Sequence, residues 1–343
     1  MGIEEIPEGE GRKGISGCRK KMETPFAAYE NCRLCPRQCG ADRKDSAGRG
    51  NLGFCRETHE LRVAYVGPHF GEEPPISGKR GSGTIFFAGC SLRCTYCQNH
   101  QISRGGLGRL LGLDSLLERV MEMILLERVH NINLVTPDHF LPHALGLISR
   151  IRDRGYSLPV VFNISGYQSM EMLRRTEPYA DIYLPDFKYS DPDLAYMLSR
   201  SKDYPKIALE ALSEMVRQRG FLDACRKGKD LAARGVLVRH LILPGHVENS
   251  INALTTLFLE FGPGLPISLM SQYHPALPQE RESLNRVLDP LEFEGVYGHA
   301  LDLGFQHLFV QFPHKSDQGL TEASPFFPDF RRAQPFSTGK GAD

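Results

Sequence analysis

Residues 85–99 read Ile-Phe-Phe-Ala-Gly-Cys-Ser-Leu-Arg-Cys-Thr-Tyr-Cys-Gln-Asn. An apolar run ends in Gly89, and Cys90, Cys94 and Cys97 follow in the spacing C-x3-C-x2-C. The apolar run predicts a buried strand that leads into a loop carrying the cysteines. Closely spaced cysteines in a reducing compartment are more often metal ligands than disulfide partners. The stretch therefore predicts a metal centre at the carboxyl end of a strand.

The number of cysteines in this loop indicates which kind of metal centre it holds. A [4Fe–4S] cluster has four irons, and an electron-transfer ferredoxin normally supplies a thiolate to each. Three thiolates leave one iron open to another ligand. A zinc knuckle and a cluster used only for electron transfer are the alternatives. Tyr96 before the last cysteine, the Phe-Phe-Ala-Gly strand end and the α/β pattern downstream favour the open cluster.

The residues after the loop predict an α/β domain. Short apolar runs with strand character are Thr84–Phe87, Asn133–Val135, Val160–Asn163, Ile182–Leu184, Val236–Leu243, Ile267–Met270 and His307–Phe312. Between them, helical spacing is found in Ser115–Glu127, Pro142–Arg152, Met170–Thr176, Ile207–Arg219 and Ile251–Phe261. This alternation predicts a parallel sheet covered by helices. Several strands run into polar or turn residues, as in a barrel whose strand ends carry the chemistry. We therefore predict a partial (β/α)6 barrel with an N-terminal cysteine-rich extension.

The amino-acid composition limits the classes of function that this protein can have. Of 343 residues, 41% are apolar and 24% are charged, which is ordinary for a globular protein, and the formal net charge is zero. Zero net charge gives no general attraction for nucleic acid. We find no apolar run long enough for a membrane span and no signal-peptide pattern in the first 24 residues, so we expect a cytoplasmic protein without a membrane partner.

The predicted organisation is a flexible tail (1–24), a cysteine-rich metal-binding segment (25–60), a core domain (61–312) and a C-terminal tail (313–343).

A second cysteine group precedes the core domain. Cys32, Cys35 and Cys39 have the spacing C-x2-C-x3-C, and Cys55 follows. Four thiols match a closed site, either structural zinc or an auxiliary iron–sulfur cluster, and the sequence does not decide between them. A structural group of thiols without a metal is the other interpretation. Metal binding would fold this polar segment. Cys18 and Cys225 are not expected to be ligands.

Longer stretches resemble a known family. They are Cys-Arg-Leu-Cys-Pro-Arg-Gln-Cys-Gly (32–40), Glu-Glu-Pro-Pro-Ile-Ser-Gly (72–78), Gly-Ser-Gly-Thr-Ile-Phe-Phe (81–87), His-Asn-Ile-Asn-Leu-Val-Thr-Pro (130–137), Ile-Tyr-Leu-Pro-Asp-Phe-Lys-Tyr (182–189) and Val-Arg-His-Leu-Ile-Leu-Pro (238–244). The cysteine loop resembles that of the radical S-adenosylmethionine (SAM) superfamily. The longer stretches resemble the branch that is called pyruvate formate-lyase activating enzyme-like.

The resemblance implies a function. A [4Fe–4S] cluster on Cys90, Cys94 and Cys97 would bind SAM at its open iron and reduce it to methionine and a 5′-deoxyadenosyl radical, with an electron donor of the flavodoxin or ferredoxin type. The radical would abstract hydrogen from a substrate, with a glycyl residue of a partner protein as the leading candidate. Radical modification of another peptide or a small molecule is the alternative enzyme function. A metal-binding scaffold without catalysis is the other class of answer.

Candidate SAM contacts lie at the predicted strand ends, and no catalytic residue is assigned. The superfamily usually has Gly-Gly-Glu after its second strand, whereas this chain has Thr136-Pro137, so how the amino group of SAM is held stays open. Thr136 is a candidate for that contact or a turn residue, and Tyr96 is a candidate to pack beside adenine. Asn163 and Ser165 are candidates for the ribose or carboxylate, or part of a turn.

Three further positions complete the candidates. Asp186 and Lys188 face the same side of an extended segment, and their counterparts in glycyl-radical activases lie near SAM; a surface ion pair is the alternative. Arg239 is a candidate for the SAM carboxylate because its planar guanidinium suits bidentate recognition, while the adjacent His240 is expected to be a core residue. Gln272 is a weaker candidate. His69, Glu72 and Glu73 receive no role from their spacing.

Overall fold

The sheet at the centre of the protein is seen in a computed structural model that describes residues 27–44, 52–225, 229–313 and 327–336. The predicted tail over residues 1–24, with Cys18, lies outside the described residues. The strands of the described part are β1 (Arg62–His69), β2 (Ser82–Phe87), β3 (Arg109–Leu110), β4 (Ile132–Val135), β5 (Val160–Ile164), β6 (Ile182–Pro185), β7 (Gly235–Val236), β8 (Val238–Leu241), β9 (Ile267–Met270) and β10 (Leu308–Val310).

The parallel strands form an open barrel wall. One sheet has the order β3-β1-β2-β4-β5-β6-β7, in which β2, β4, β5, β6 and β7 are parallel and β1 is antiparallel to β2 and β3. A second parallel sheet has the order β10-β9-β8. A parallel bridge between Asp186 and Arg239 connects the ends of β6 and β8. The strand order therefore continues across both sheets and confirms the predicted α/β partial barrel.

Helices cover this wall. They are α1 (Pro74–Ser77), α2 (His100–Ser103), α3 (Leu113–Glu127), α4 (Leu141–Asp153), α5 (Met170–Thr176), α6 (Pro192–Ser199), α7 (Tyr204–Arg219), α8 (Val247–Phe261) and α9 (Pro290–Leu303). The longer ones are amphipathic: α3 buries Leu116, Leu117, Val120, Met123 and Ile124 and leaves its opposite face in solvent. Within the described ranges, no helix combines the length and the apolar character that a membrane crossing requires.

Two features of the strands differ from the sequence prediction. The run Val236–Leu243 was expected as one strand, but it is divided at Leu237, whose amide donates to Tyr183 O while β8 turns to pair with β9. The strand β1 was not expected, because its residues alternate between buried and half-buried along an antiparallel edge. It brings the loop after His69 to the amino ends of the parallel strands, since His69 pairs with Ser82.

The short helix α1 closes the barrel from that side. Ile76 is fully buried and packs with Val161, Ile182, Leu184 and Leu237 from the surrounding strands. The side chains of Glu72 and Glu73, just before α1, are also buried. One end of the barrel is therefore filled, and the carboxyl ends of the strands form its other end.

The cysteine-rich segment packs against this other end. Arg37 reaches from it to the loop after β2 and to the end of α6, donating to Ser91 O (2.9 Å), Ser199 O (2.6 Å) and Arg200 O. Its guanidinium also lies 3.8 Å from the centre of the Phe54 ring. Because Arg37 bonds backbone carbonyls of two core elements, the segment is fixed to the core domain beside the three-cysteine loop.

Candidate functional site

The three-cysteine loop begins at a glycine that no other residue could replace without displacing its surroundings. Gly89 has φ +79°, and a Cβ added there would lie 2.4 Å from Glu57 Cγ and 3.0 Å from Cys55 O. The chain around Cys55 therefore touches the turn that leads into Cys90. This contact places the two cysteine groups side by side.

Each of the three loop sulfurs accepts a hydrogen bond. The donors are the Leu92 amide to Cys90 Sγ (3.3 Å), the Ser199 hydroxyl to Cys94 Sγ (3.1 Å) and the Ser103 hydroxyl to Cys97 Sγ (3.3 Å). All three cysteines are free, and Cys90 and Cys94 are buried. Burial, and next the charge of Cys94, raise the pKa of Cys97, so a thiolate here needs a compensating metal charge. Free sulfurs with surrounding donors fit the ligand set of an iron–sulfur cluster.

The spacing of these ligands also fits a cluster better than a single ion. Among the described residues, no three His, Cys, Asp or Glu side chains are arranged to hold one metal ion. In a cluster each thiolate binds a different iron, so the sulfurs stand farther apart than the ligands of one ion. A cluster therefore does not require the three sulfurs to meet at one point.

A chain of hydroxyl groups extends from Cys94 to Tyr96. The Tyr189 hydroxyl lies 2.6 Å from Ser199 Oγ, the group that bonds Cys94, and donates to the Tyr96 hydroxyl at 3.0 Å. Tyr96 is buried, with the Tyr273 ring 6.0 Å away. Its packing beside adenine stays a prediction, but its ring does lie at the cluster loop.

Thr136 has an unusual backbone at the end of β4. Its φ of +56° is in the left-handed region, which a β-branched residue rarely adopts. Its amide donates to Asn163 O (2.9 Å), which joins the ends of β4 and β5. Strain of this kind clusters at functional sites, so the position predicted for the amino-group contact has a distinctive geometry.

Polar residues at the next strand ends have mainly protein partners. The side-chain amide of Asn163 donates from Nδ2 to Glu72 Oε1 (3.2 Å). Ser165 Oγ accepts from the backbone amide of Tyr167 (3.4 Å). Gln272, after β9, has its Nε2 3.7 Å from Met270 Sδ. Their contacts with SAM remain predictions.

Asp186 and Lys188 form an ion pair of 2.5 Å, and each side chain is about one-fifth exposed. Burial alone would lower the pKa of Lys188, but the charges of Asp186, Tyr96 and Cys94 raise it well above its usual value. Burial and the charge of Cys94 raise the pKa of Cys97, and the positive charge of Lys188 offsets part of that rise. The pair therefore lies within electrostatic reach of the three-cysteine loop, unlike an ordinary surface ion pair.

Arg239 binds two carboxylates that the sequence did not connect with it. Its Nε and Nη2 donate to the two oxygens of Glu73 (2.9 and 2.6 Å), and Nη2 also donates to Glu72. Glu72 Oε1 further accepts from Asn133 Nδ2 (2.9 Å) and from Asn163. Recognition of the SAM carboxylate by Arg239 stays a prediction, and it requires exchange of one of these partners. The adjacent His240 is the expected core residue, bonded to Phe187 O and Ser250 Oγ.

Asp138 is a residue of the site that the sequence analysis missed. It follows Thr136-Pro137 and is fully buried, and its Oδ1 accepts from Gln168 Nε2 (3.1 Å). Its Oδ2 has no hydrogen-bond partner among the described residues. Burial raises its pKa to about 7. A carboxyl group after a strand end was the available signal, in the triplet Thr-Pro-Asp.

The second cysteine group surrounds a buried arginine. Cys32 and Cys55 are buried, Cys35 is half-buried and Cys39 is exposed. Arg43 is fully buried, and its Nη1 lies 3.7 Å from Cys32 Sγ. A Cβ at Gly53 (φ +67°) would lie 2.7 Å from Cys39 Sγ, so the chain needs a glycine there to make room for the thiol.

The chain is similar to one family model and to individual known proteins. A family model described as the radical SAM superfamily matches residues 84–257. The uncharacterized protein MJ0674 of Methanocaldococcus jannaschii is 25% identical over 283 residues, which cover 80% of this chain and 75% of the relative. The crystal structure of methylornithine synthase (PylB) aligns with 16% identity and a TM-score of 0.38, over 67% of this chain and 71% of that chain.

Proposed function

Because this chain belongs to the radical SAM superfamily, we propose that it abstracts hydrogen from a glycyl residue of a partner protein. Cys90, Cys94 and Cys97 are the residues that would hold the [4Fe–4S] cluster. When bound, the reduced cluster and SAM supply a 5′-deoxyadenosyl radical as the hydrogen acceptor. The proposal places the protein in the cytoplasm, where a reducing environment keeps its thiols free.

The protein's own residues would hold and shield these groups. Ser103 and Ser199 donate to ligand sulfurs, and such hydrogen bonds adjust the reduction potential of a cluster. Tyr96 and Tyr189 are buried beside the loop and would keep water from it. Lys188 would place a positive charge near the thiolates.

The observation that supports a glycyl substrate is the Asp186–Lys188 pair. The segment Ile182–Tyr189 resembles glycyl-radical activases, whose Asp and Lys at these positions lie near SAM. In this protein the pair lies at the end of β6, within electrostatic reach of Cys94. This position of the pair supports the proposal of a glycyl substrate.

The test pairs the reconstituted protein with a large glycyl-radical protein from the same genome. With SAM and a reductant, the proposal expects a glycyl-radical EPR doublet on the partner, at a yield that falls in Lys188→Met and not in the exposed control Lys79→Met. Formation of 5′-deoxyadenosine without the doublet, or a genome without such a partner, would overturn the glycyl substrate. Either result would favour a small molecule or another peptide.

We also propose an electron donor of the flavodoxin or ferredoxin type, acting on a basic patch formed by Arg56, Arg93 and Arg104. Arg56 and Arg104 are exposed, and burial together with their charges lowers the pKa of Arg93. Among the described residues, no ion pair includes Arg56, Arg93 or Arg104. An acidic donor would be attracted to this patch beside Cys90.

Charge reversal tests the patch. In Arg56→Glu/Arg104→Glu, reduction of the cluster by an acidic flavodoxin at low salt should slow about tenfold or more, while reduction by dithionite stays unchanged. Arg119→Glu, on the exposed face of α3, is the matched control. An unchanged flavodoxin rate in the double variant would contradict the docking site.

Finally, we propose that Cys32, Cys35, Cys39 and Cys55 form a second metal centre, holding either zinc or an iron–sulfur cluster. All four are free. Apart from the dominant effect of burial, the pKa of Cys55 responds to the charges of Arg43, Cys32 and Cys39, and that of Cys35 to Cys55 and Cys32. This mutual electrostatic influence among the thiols supports one shared centre.

A further inference from the structure

The segment of residues 327–336, which we call the C-terminal strap, lies against the barrel wall at β1 and β2. It packs on three aromatic side chains of these strands, which we call the aromatic surface: Tyr65, His69 and Phe86. The Phe330 ring centre lies 5.3 Å from that of Phe86, and Phe330 is 7% exposed. The Phe336 ring centre lies 4.1 Å from that of His69. Two aromatic side chains of the strap therefore cover the aromatic surface.

The aromatic surface faces the interior of the barrel. Because side chains alternate along a strand, Phe86 shares its face of β2 with Ser82. Ser82 Oγ accepts from Asn133 Nδ2 (3.1 Å), and the same Nδ2 donates to Glu72, whose carboxylate lies between β4, β5 and β8. Phe86 is the last residue of β2. Phe330 therefore lies in the mouth of the barrel, at the carboxyl ends of the strands.

Gln101 binds the strap through a backbone group as well as a side chain. Gln101 belongs to α2, the short helix that follows the three-cysteine loop. Its Oε1 accepts from the backbone amide of Phe330 (2.7 Å), and its Nε2 donates to Asp329 Oδ1 (3.3 Å). In the same helix, the Ser103 hydroxyl donates to Cys97 Sγ (3.3 Å). A peptide bound at Gln101 therefore lies next to the three-cysteine loop.

A large part of the strap is turned toward solvent. Residues 331–334 are exposed, and Arg331 and Arg332 form ion pairs with Asp329 of the strap itself. The Asp329 amide donates to Pro335 O (2.8 Å), which closes the strap into a loop. The strap is therefore bound to the barrel by its aromatic rings and a few hydrogen bonds. A segment that is held in this way opens at low cost, so another peptide can replace it.

We propose that the aromatic surface and Gln101 bind a substrate peptide that carries aromatic side chains, and that the strap occupies this site in the free protein. This inference rests on the proposed function, in which the substrate is a residue of a partner protein. The reacting peptide then has to enter the mouth of the barrel beside the three-cysteine loop, where the strap lies.

The groups that bind the strap determine the class of peptide. Aromatic rings attract other aromatic rings in tilted and edge-to-face arrangements, and the Gln101 side chain accepts from a backbone N–H, which every residue except proline has. Because the strap belongs to the same chain, it competes at a high effective concentration. A partner protein that makes further contacts displaces it, whereas a small molecule without aromatic groups does not.

The first test measures the binding of a fluorescent peptide with the sequence of the strap, Phe-Pro-Asp-Phe-Arg-Arg-Ala-Gln-Pro-Phe, by anisotropy. The full chain with Phe330→Ala/Phe336→Ala should bind it at least about tenfold more tightly than the wild type, whose own strap competes. Adding Gln101→Ala to this variant should weaken binding about tenfold, and adding Gln306→Ala, at an exposed glutamine, should not. A double variant that is folded by circular dichroism and does not bind the peptide would overturn the inference.

Hydrogen exchange of the wild type tests the displacement without any substitution. The Phe330 amide is hydrogen-bonded in a buried residue and should exchange slowly. Binding of the large glycyl-radical protein from the same genome should accelerate this exchange at least about tenfold, while the amides of β5 stay unchanged. A Phe330 amide that stays protected in the complex would overturn the inference, even if the partner gains its radical. Accelerated exchange without radical formation would support the peptide site and count against the proposed function.

Discussion

Replacing Arg239 with Met removes the cation from a buried group of three charges. The side chains of Arg239, Glu72 and Glu73 are 10%, 6% and 8% exposed. Glu72 keeps the amides of Asn133 and Asn163, at 2.9 and 3.2 Å, whereas Glu73 loses two bonds, of 2.9 and 2.6 Å. Breaking a buried pair costs about 3–5 kcal/mol, so we expect the free energy of unfolding to fall by about 4 kcal/mol at neutral pH.

The loss should depend on pH with a definite sign. In the wild type, burial would raise the pKa of Glu73, but Arg239 holds it below its usual value, so this stability is present at neutral pH and lost only as pH falls through the lowered pKa. In the variant, burial acts without the cation and raises the pKa. The folded variant then binds more protons than the unfolded chain, so its stability should rise as pH falls from about 8 to about 5.

Urea unfolding followed by circular dichroism measures both effects. The double variant Arg239→Met/Glu73→Gln should recover about 1–2 kcal/mol of the free energy of unfolding, because it also removes the buried carboxylate that has lost two hydrogen bonds. The matched control is Arg150→Met, whose partner Asp114 is largely exposed, and it should cost no more than about 1 kcal/mol. A loss as small as the control's, or one that does not shrink at low pH, would show that Arg239 does not stabilise a buried Glu73 carboxylate.

Three further predictions concern single contacts. Ser199→Ala removes a 3.1 Å hydrogen bond to a ligand sulfur and should make the cluster's reduction potential more negative in an EPR-monitored titration; an unchanged midpoint would contradict this. Gly53→Ala should displace Cys39 and lower the bound metal, counted as iron plus zinc, whereas Gly155→Ala, at φ +84° with open space around it, should leave the metal content intact; equal metal counts would refute the steric argument. Asp289→Ala breaks the capping box of α9 and should cost about 1 kcal/mol in urea unfolding, and no change would show that the cap is dispensable.

The parallel strands were predictable because each is a continuous apolar run bounded by turn residues. Val160–Ile164 and Ile182–Pro185 lie within a residue of their predicted bounds. The strand β1 was not predicted, because its pairing with β2 is antiparallel and its outer face is half-exposed. The helices α6 and α9 were also missed, although Asp191 and Asp289 cap them and a proline follows each cap.

At the site, local spacing predicted the cysteines but could not predict their partners. Cys90, Cys94 and Cys97 lie within eight residues, so their pattern is visible in the sequence. Arg239 and Glu73 are 166 residues apart and meet only because β1 carries the Glu-Glu loop beneath the barrel. The same holds for Arg43, which the sequence shows as one more surface charge and the fold buries beside Cys32.

SAM cleavage by the protein reconstituted without oxygen separates a radical SAM enzyme from a metal-binding scaffold. With dithionite and SAM, we expect 5′-deoxyadenosine and methionine from the wild type, together with a change in the EPR signal of the reduced cluster on adding SAM. Cys94→Ala should abolish both, while the metal of the Cys32 group remains. A wild-type protein that carries its full iron and sulfide, yet forms no 5′-deoxyadenosine and shows an EPR signal unmoved by SAM, would contradict the account.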